Sequence, residues 1–152
     1  MKYVLCLLTA VSLLAVRGCP SSRPPSPRAL LAVKSASAER LSPSSTSSAL
    51  KTDAQFAKAN VISRAQDSRF QLAVADALGI TPDTVGKVVV QGVADTHSVE
   101  VRADIADPVL AAKVVNAVAR RLADDFKNDP DIRVRVVGTA RPPRPAKESS
   151  EK

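Results

Sequence analysis

One histidine, two cysteines and a short run of aspartates are the side chains of this sequence best placed to do chemistry. His97 follows Asp95 in the segment Ala94-Asp95-Thr96-His97. A Ser-His-Asp arrangement needs a positioned nucleophile and donors for an oxyanion, not just the residue types. No nucleophile-elbow motif stands anywhere in the sequence, so His97 reads as a solvated turn residue. Asp124, Asp125, Asp129 and Asp131 form a carboxylate group that invites a calcium reading. Their spacing matches no calcium loop and lacks the central glycine that turns one. They read instead as a hydrogen-bonded helix terminus. Gly-rich phosphate loops, Cys/His metal spacings and a dinucleotide fingerprint are missing from the sequence. No catalytic residue, no metal and no cofactor is therefore expected.

The two cysteines point elsewhere. Lys2 is a short basic region ahead of an apolar run, 4–16, that contains Cys6. At roughly thirteen residues it falls short of the roughly 20 that a spanning helix needs, and suits a cleaved secretory signal. Val16-Arg17-Gly18-Cys19 then resembles a bacterial lipobox, in which a small residue precedes a cysteine that is acylated and becomes the new N-terminus. Arg17 is an unusual occupant of that motif; Gly18 and Cys19 fit it. Cys19 is thus the expected lipid-attachment residue, and residues 1–18 the expected signal peptide. With Cys6 removed and Cys19 acylated, no thiol is left for a disulfide. Residues 19–28 form a linker in which Pro20, Pro24, Pro25 and Pro27 favour an extended spacer of about 3 Å per residue.

Composition narrows the partners. The chain has 152 residues, three Phe, one Tyr, no Trp and a formal net charge of +7. One modest domain is expected, with a core of Val, Leu, Ile and Ala. A basic chain so poor in aromatic stacking residues is not expected to bind nucleic acid. Acidic polysaccharide or lipid headgroups are better complements.

The elements follow from hydrophobic periodicity. A strand is expected at 29–41 and a Ser-rich loop at 42–48. A short helix at 49–59 is anchored by Leu50 and Phe56. A second helix starts at Asp67 or Ser68, with Phe70, Ala73, Val74, Ala77 and Leu78 on one face and Gly79 as a left-handed cap. Thr81-Pro82-Asp83 opens a brief turn carrying Val85. The β-branched run 87–93 and the alternating run 98–105 predict two strands joined by the 94–97 turn. Residues 107–126 predict the longest helix of the domain, with Asp107 as N-cap and Pro108 in the first position. Its buried stripe is Val109, Ala112, Asn116, Ala119, Ala123 and Phe126, widened by Val115, Val118 and Leu122; Lys113, Arg120, Arg121, Asp124 and Asp125 take the wet side. Asn116 interrupts the apolar face and is expected to satisfy a strand or loop carbonyl across the interface. A last strand spans 132–137, a Pro-rich exit follows at 140–145, and 146–152 is a polar tail. The fold class is α+β: an antiparallel sheet of about four strands, helices on one face, within a domain at 29–145.

From 67 to 126 the sequence resembles the periplasmic domain of the polysaccharide chain-length determinant family, the Wzz-type polysaccharide co-polymerases. The resemblance begins with Phe70, Val74 and Leu78-Gly79-Ile80 and runs through Val88–Val90, Thr96 and Val99–Val101. It is strongest at Asp107-Pro108, Ala111-Ala112 and Asn116-Ala117, similar to the family's Asp-Pro…Ala-Ala…Asn-Ala helix. Val134–Val137, Ala140, Pro142 and Pro145 resemble its return strand and exit. The sequence departs from the family in having a lipobox-like cysteine where a membrane helix usually stands, no hydrophobic segment after the domain, and no room between Asp125 and Ile132 for the family's long helical extension.

With the lipobox-like Cys19 supplying the anchor, the resemblance implies a non-catalytic, membrane-anchored envelope lipoprotein that scaffolds surface polysaccharide assembly or export. Assembly or export proteins would be its partners, acidic polysaccharide a candidate ligand, and homo-oligomerisation through sheet edges or helix sides an expectation. The alternative is a general envelope lipoprotein using the same module for unrelated protein contacts. A secreted hydrolase using His97 is the third reading.

Overall fold

The structure is a computed structural model and describes residues 26–36 and 47–142, with residues 47–51 as backbone only. The expected signal peptide, Cys19, the greater part of the Ser-rich loop (42–46), Pro145 and the tail lie outside the described residues.

Alternation sets the first strand. In β1, Arg28–Ser35, Ala29, Leu31 and Val33 are buried while Arg28, Leu30 and Lys34 are exposed. The strand is shorter than the expected 29–41, and residues 37–46 are outside the description. Helix α1, Ser47–Gln66, is much longer than the expected 49–59. Its extension follows from packing: Ala57, Val61 and Ala65 repeat at four-residue steps and are buried together, which overrides the modest helix propensity of Val61 and Ile62. Phe56, expected as an anchor, is 67% exposed instead.

Helix α2, Ser68–Leu78, has the expected caps. Asp67 Oδ1 accepts from the backbone N–H of Arg69 and Phe70, and Gly79 takes a left-handed φ of 65°. Its buried face is Phe70, Val74 and Ala75; Ala77, expected inside, is exposed, so the helix is rotated slightly from its apolar pattern. Small Ala side chains leave that rotation weakly specified. The expected turn after it is a short helix α3, Pro82–Gly86, which buries Val85. Strands β2, Val88–Gly92, and β3, Ser98–Ala103, form the expected hairpin.

Helix α4, Pro108–Asp125, lies between an Asp107 cap and Phe126; at 18 residues it is shorter than the 20 of α1 and so is not the longest helix that its pattern predicts. Ala111, Ala112, Val114, Val115, Val118, Ala119 and Leu122 are its buried residues. Val109, expected in the stripe from spacing, is instead exposed in the first turn, and Ala111 and Val114 take the inner positions. Strand β4, Ile132–Gly138, completes the sheet.

The sheet is fully antiparallel in the order β2-β3-β1-β4. The N-terminal strand is therefore central, and each crossover steps over one strand, as in a split βαβ topology. The fold is α+β, as the alternating strands imply. The helices cover one face, where Leu31, Val33, Val99 and Val101 meet Val61, Phe70, Val115, Val118 and Leu122 in one continuous core. No described helix is long and apolar enough to cross a membrane.

Candidate functional site: the exit clamp and the uncovered sheet face

His97 and Asp95 occupy the β2–β3 turn, where Asp95 adopts a positive φ of 54°. Both side chains are exposed, and the His97 imidazole makes no hydrogen bond among the described residues. The His97 carbonyl accepts from the Val33 N–H at 2.7 Å, so this residue holds the sheet through its backbone. Thr96 Oγ1 donates to the Val93 carbonyl and accepts from the Ser98 N–H, and Lys58 Nζ donates to the Thr96 carbonyl at 2.9 Å. The turn is thus pinned to α1.

The four aspartates do not converge. Asp129 Oδ1 accepts from the N–H groups of Asp131 and Ile132, capping the start of β4. Asp125 pairs with Arg64 Nε at 2.8 Å and Arg121 Nε at 3.1 Å. Arg64 also reaches Asp67 and lies 5.9 Å from the centre of the Phe70 ring. This one guanidinium joins α1, α2 and α4. Its role is not readable from the sequence, because Asp125 is distant along the chain. No group of three or more His, Cys, Asp or Glu able to hold a metal ion occurs among the described residues.

The residues singled out by the family resemblance fall on α4. The Asp107 carboxylate accepts from the N–H groups of Val109 and Leu110, and Pro108 opens the helix where its lack of an N–H costs nothing. Ala111 and Ala112 are buried against the sheet and Ala117 is half-buried. Asn116 does more than the expected single capping bond. Its Nδ2 donates to the Ala140 carbonyl at 3.0 Å, and the Ala140 N–H donates back to its Oδ1 at 2.8 Å. This two-way clamp fixes the chain as it leaves β4, just ahead of Arg141 and Pro142.

Register places the start of β1 beside the end of β4. Leu30, near the start of β1, pairs with Gly138 at the end of β4. The backbone therefore enters β1 and leaves β4 at the same end of the sheet.

The second feature is the sheet face that no described helix covers. It presents Arg28, Leu30, Ala32 and Lys34 from β1, Ser98, Glu100 and Arg102 from β3, Val89 and Gln91 from β2, and Arg133, Arg135 and Val137 from β4. Arg28 pairs with Glu100 at 3.2 Å, and Gln91 also donates to that carboxylate. At the opposite end of the face, Lys34 stands directly across from Arg133, with Arg135 two residues along. These three line a shallow groove of about 370 Å³ whose apolar lining is Ala32 and Val137. Comparison of the chain with protein-family models, curated proteins and solved structures gives no match.

Proposed function

We propose that this chain is a non-catalytic envelope lipoprotein, attached through Cys19, whose α+β domain scaffolds surface polysaccharide assembly or export as a minimal chain-length-determinant-like module. The observation that carries this reading is the Asn116–Ala140 clamp. It joins two residues that the resemblance picks out separately, one in the Asp-Pro…Ala-Ala…Asn-Ala helix and one in the Ala…Pro…Pro exit. The entry to β1 and the exit from β4 at one end of the sheet support the same reading, since a domain standing on a membrane anchor has its base there. On this reading the domain binds assembly or export proteins and further copies of itself.

One observation favours the alternative, an envelope lipoprotein making protein contacts unrelated to polysaccharide. Residues 126–131 lead directly from α4 to β4, where chain-length determinants carry a long helical extension. Deletion of the gene in its own host, followed by electrophoretic analysis of surface polymer, separates the two. The expected result is a changed amount or length distribution of polymer, restored by the intact gene but not by a variant unable to fold. Unchanged polymer in the deletion strain overturns the polysaccharide reading.

A further inference from the structure

From the uncovered sheet face we infer a binding site for an acidic, uronate-bearing polysaccharide, centred on Lys34, Arg133 and Arg135; the choice among polyanions rests on the polysaccharide reading above. The physical basis lies in the register. Lys34 and Arg133 are direct cross-strand partners on one face. Like charges directly opposite each other destabilise a sheet, so such a pair normally carries a carboxylate nearby. At the other end of this face it does: Arg28 lies across from Arg102, and Glu100 pairs with Arg28. Among the described residues, the side chains of Lys34, Arg133 and Arg135 make no ion pair or hydrogen bond. No described carboxylate neutralises these three cations, so the cluster is open to an anionic ligand on the described face.

Geometry favours an extended chain of carboxylates. Arg133 and Arg135 repeat along β4 at about 7 Å, two strand residues apart, and Lys34 lies about 5 Å across. Guanidinium groups present a fork that matches a carboxylate with two parallel hydrogen bonds. Beside the cations, Ala32 across from Arg135 and the exposed Val137 two residues past Arg135 add apolar surface against which the C–H face of a pyranose ring can rest. No aromatic side chain lines this groove, so it lacks the stacking platform that single-stranded nucleic acid uses; the half-buried Phe126 shares a separate pocket with Arg133 and Arg135. A membrane surface is a poorer fit. This cluster sits about 20 Å along β1 from Arg28, where the chain arrives from Cys19, so it is the end of the sheet farther from the anchor.

The test uses the full-length protein, oligogalacturonate as the acidic probe, dextran as a neutral one, oligothymidylate of matched charge, and phosphatidylglycerol vesicles. Oligogalacturonate is expected to bind and to weaken with added salt, while dextran does not bind. Lys34→Glu is the informative variant. It replaces a repelling pair with an attracting one, so its denaturation midpoint should rise while its affinity for oligogalacturonate falls about tenfold. Arg135→Glu should weaken binding similarly, and Lys113→Glu, an equal charge change on the exposed side of α4, should leave it unchanged. Equal loss in the Lys113→Glu protein, affinity unaltered in both sheet variants, or oligothymidylate bound as tightly as oligogalacturonate would each overturn the site. So would vesicle binding through these residues without saccharide binding. Polymer unchanged in the deletion strain alongside intact oligogalacturonate binding would remove the assembly role and leave the site standing. Altered polymer without binding would do the reverse.

Discussion

Asn116 is a polar side chain on the mostly apolar face of α4, and it is satisfied by a single residue far along the chain. Ala140 is buried, so its N–H and carbonyl have little water to fall back on. Replacing Asn116 by Ala leaves both backbone groups short of a partner, which costs about 1–3 kcal/mol. Asn116→Asp keeps the acceptor for the Ala140 N–H but sets a carboxylate against the Ala140 carbonyl. We therefore expect Asn116→Ala to lower the urea midpoint substantially and Asn116→Asp to recover only part of it. Equal stability of all three proteins would mean that the exit segment is held by other contacts. The need for a partner is legible in the sequence, because a lone amide among Val and Ala must bond to something. Its identity is not, since the contact spans the whole of β4 and depends on how the sheet closes.

Among the elements, legibility follows the size of the side chains. α4 and α2 carry strong caps at Asp107 and Asp67, and their starts are readable to within a residue. Hairpin β2–β3 is equally clear, because a β-branched run and an alternating one on either side of a short turn admit little else. The faces of the helices are less clear. Ala-rich helices offer many nearly equivalent stripes, so spacing puts Val109 and Ala77 inside, and they lie outside in the fold. α1 is the hardest element. Its large residues mislead, with Phe56 in solvent, and its buried stripe of Ala57, Val61 and Ala65 is small and runs beyond the expected end. This gives an element-scale prediction. Val61 is completely buried and Phe56 is not, so Val61→Ala should cost about 2 kcal/mol. Phe56→Ala should stay within about 0.5 kcal/mol, as exposed substitutions do. Chemical denaturation of the two variants compares them directly, and a larger loss from Phe56→Ala would show that α1 uses that face against a partner.

For the molecule as a whole, the central position of β1 has a consequence for attachment. The first described strand is locked between β3 and β4, so a pull on the N-terminus is carried straight into the middle of the sheet. A domain tethered there is held by its most deeply paired strand, and the exit at Ala140 lies beside it. None of the described helices is long and apolar enough to cross a membrane. On the lipoprotein reading, membrane attachment then depends on the segment ahead of Ser26, and chiefly on the acyl chains at Cys19. Each buried methylene contributes about 0.8 kcal/mol, so several acyl chains hold the protein where a short apolar run does not. Cys19→Ser removes the acceptor without touching the fold. In a bacterial host it should move the protein from the membrane pellet to the soluble envelope fraction, with the same cooperative melt as the parent. Parent protein that takes up no labelled fatty acid and, like the variant, stays in the membrane pellet after a high-salt wash would exclude acylation as the anchor and leave the apolar run at 4–16 or a membrane-bound partner as the attachment.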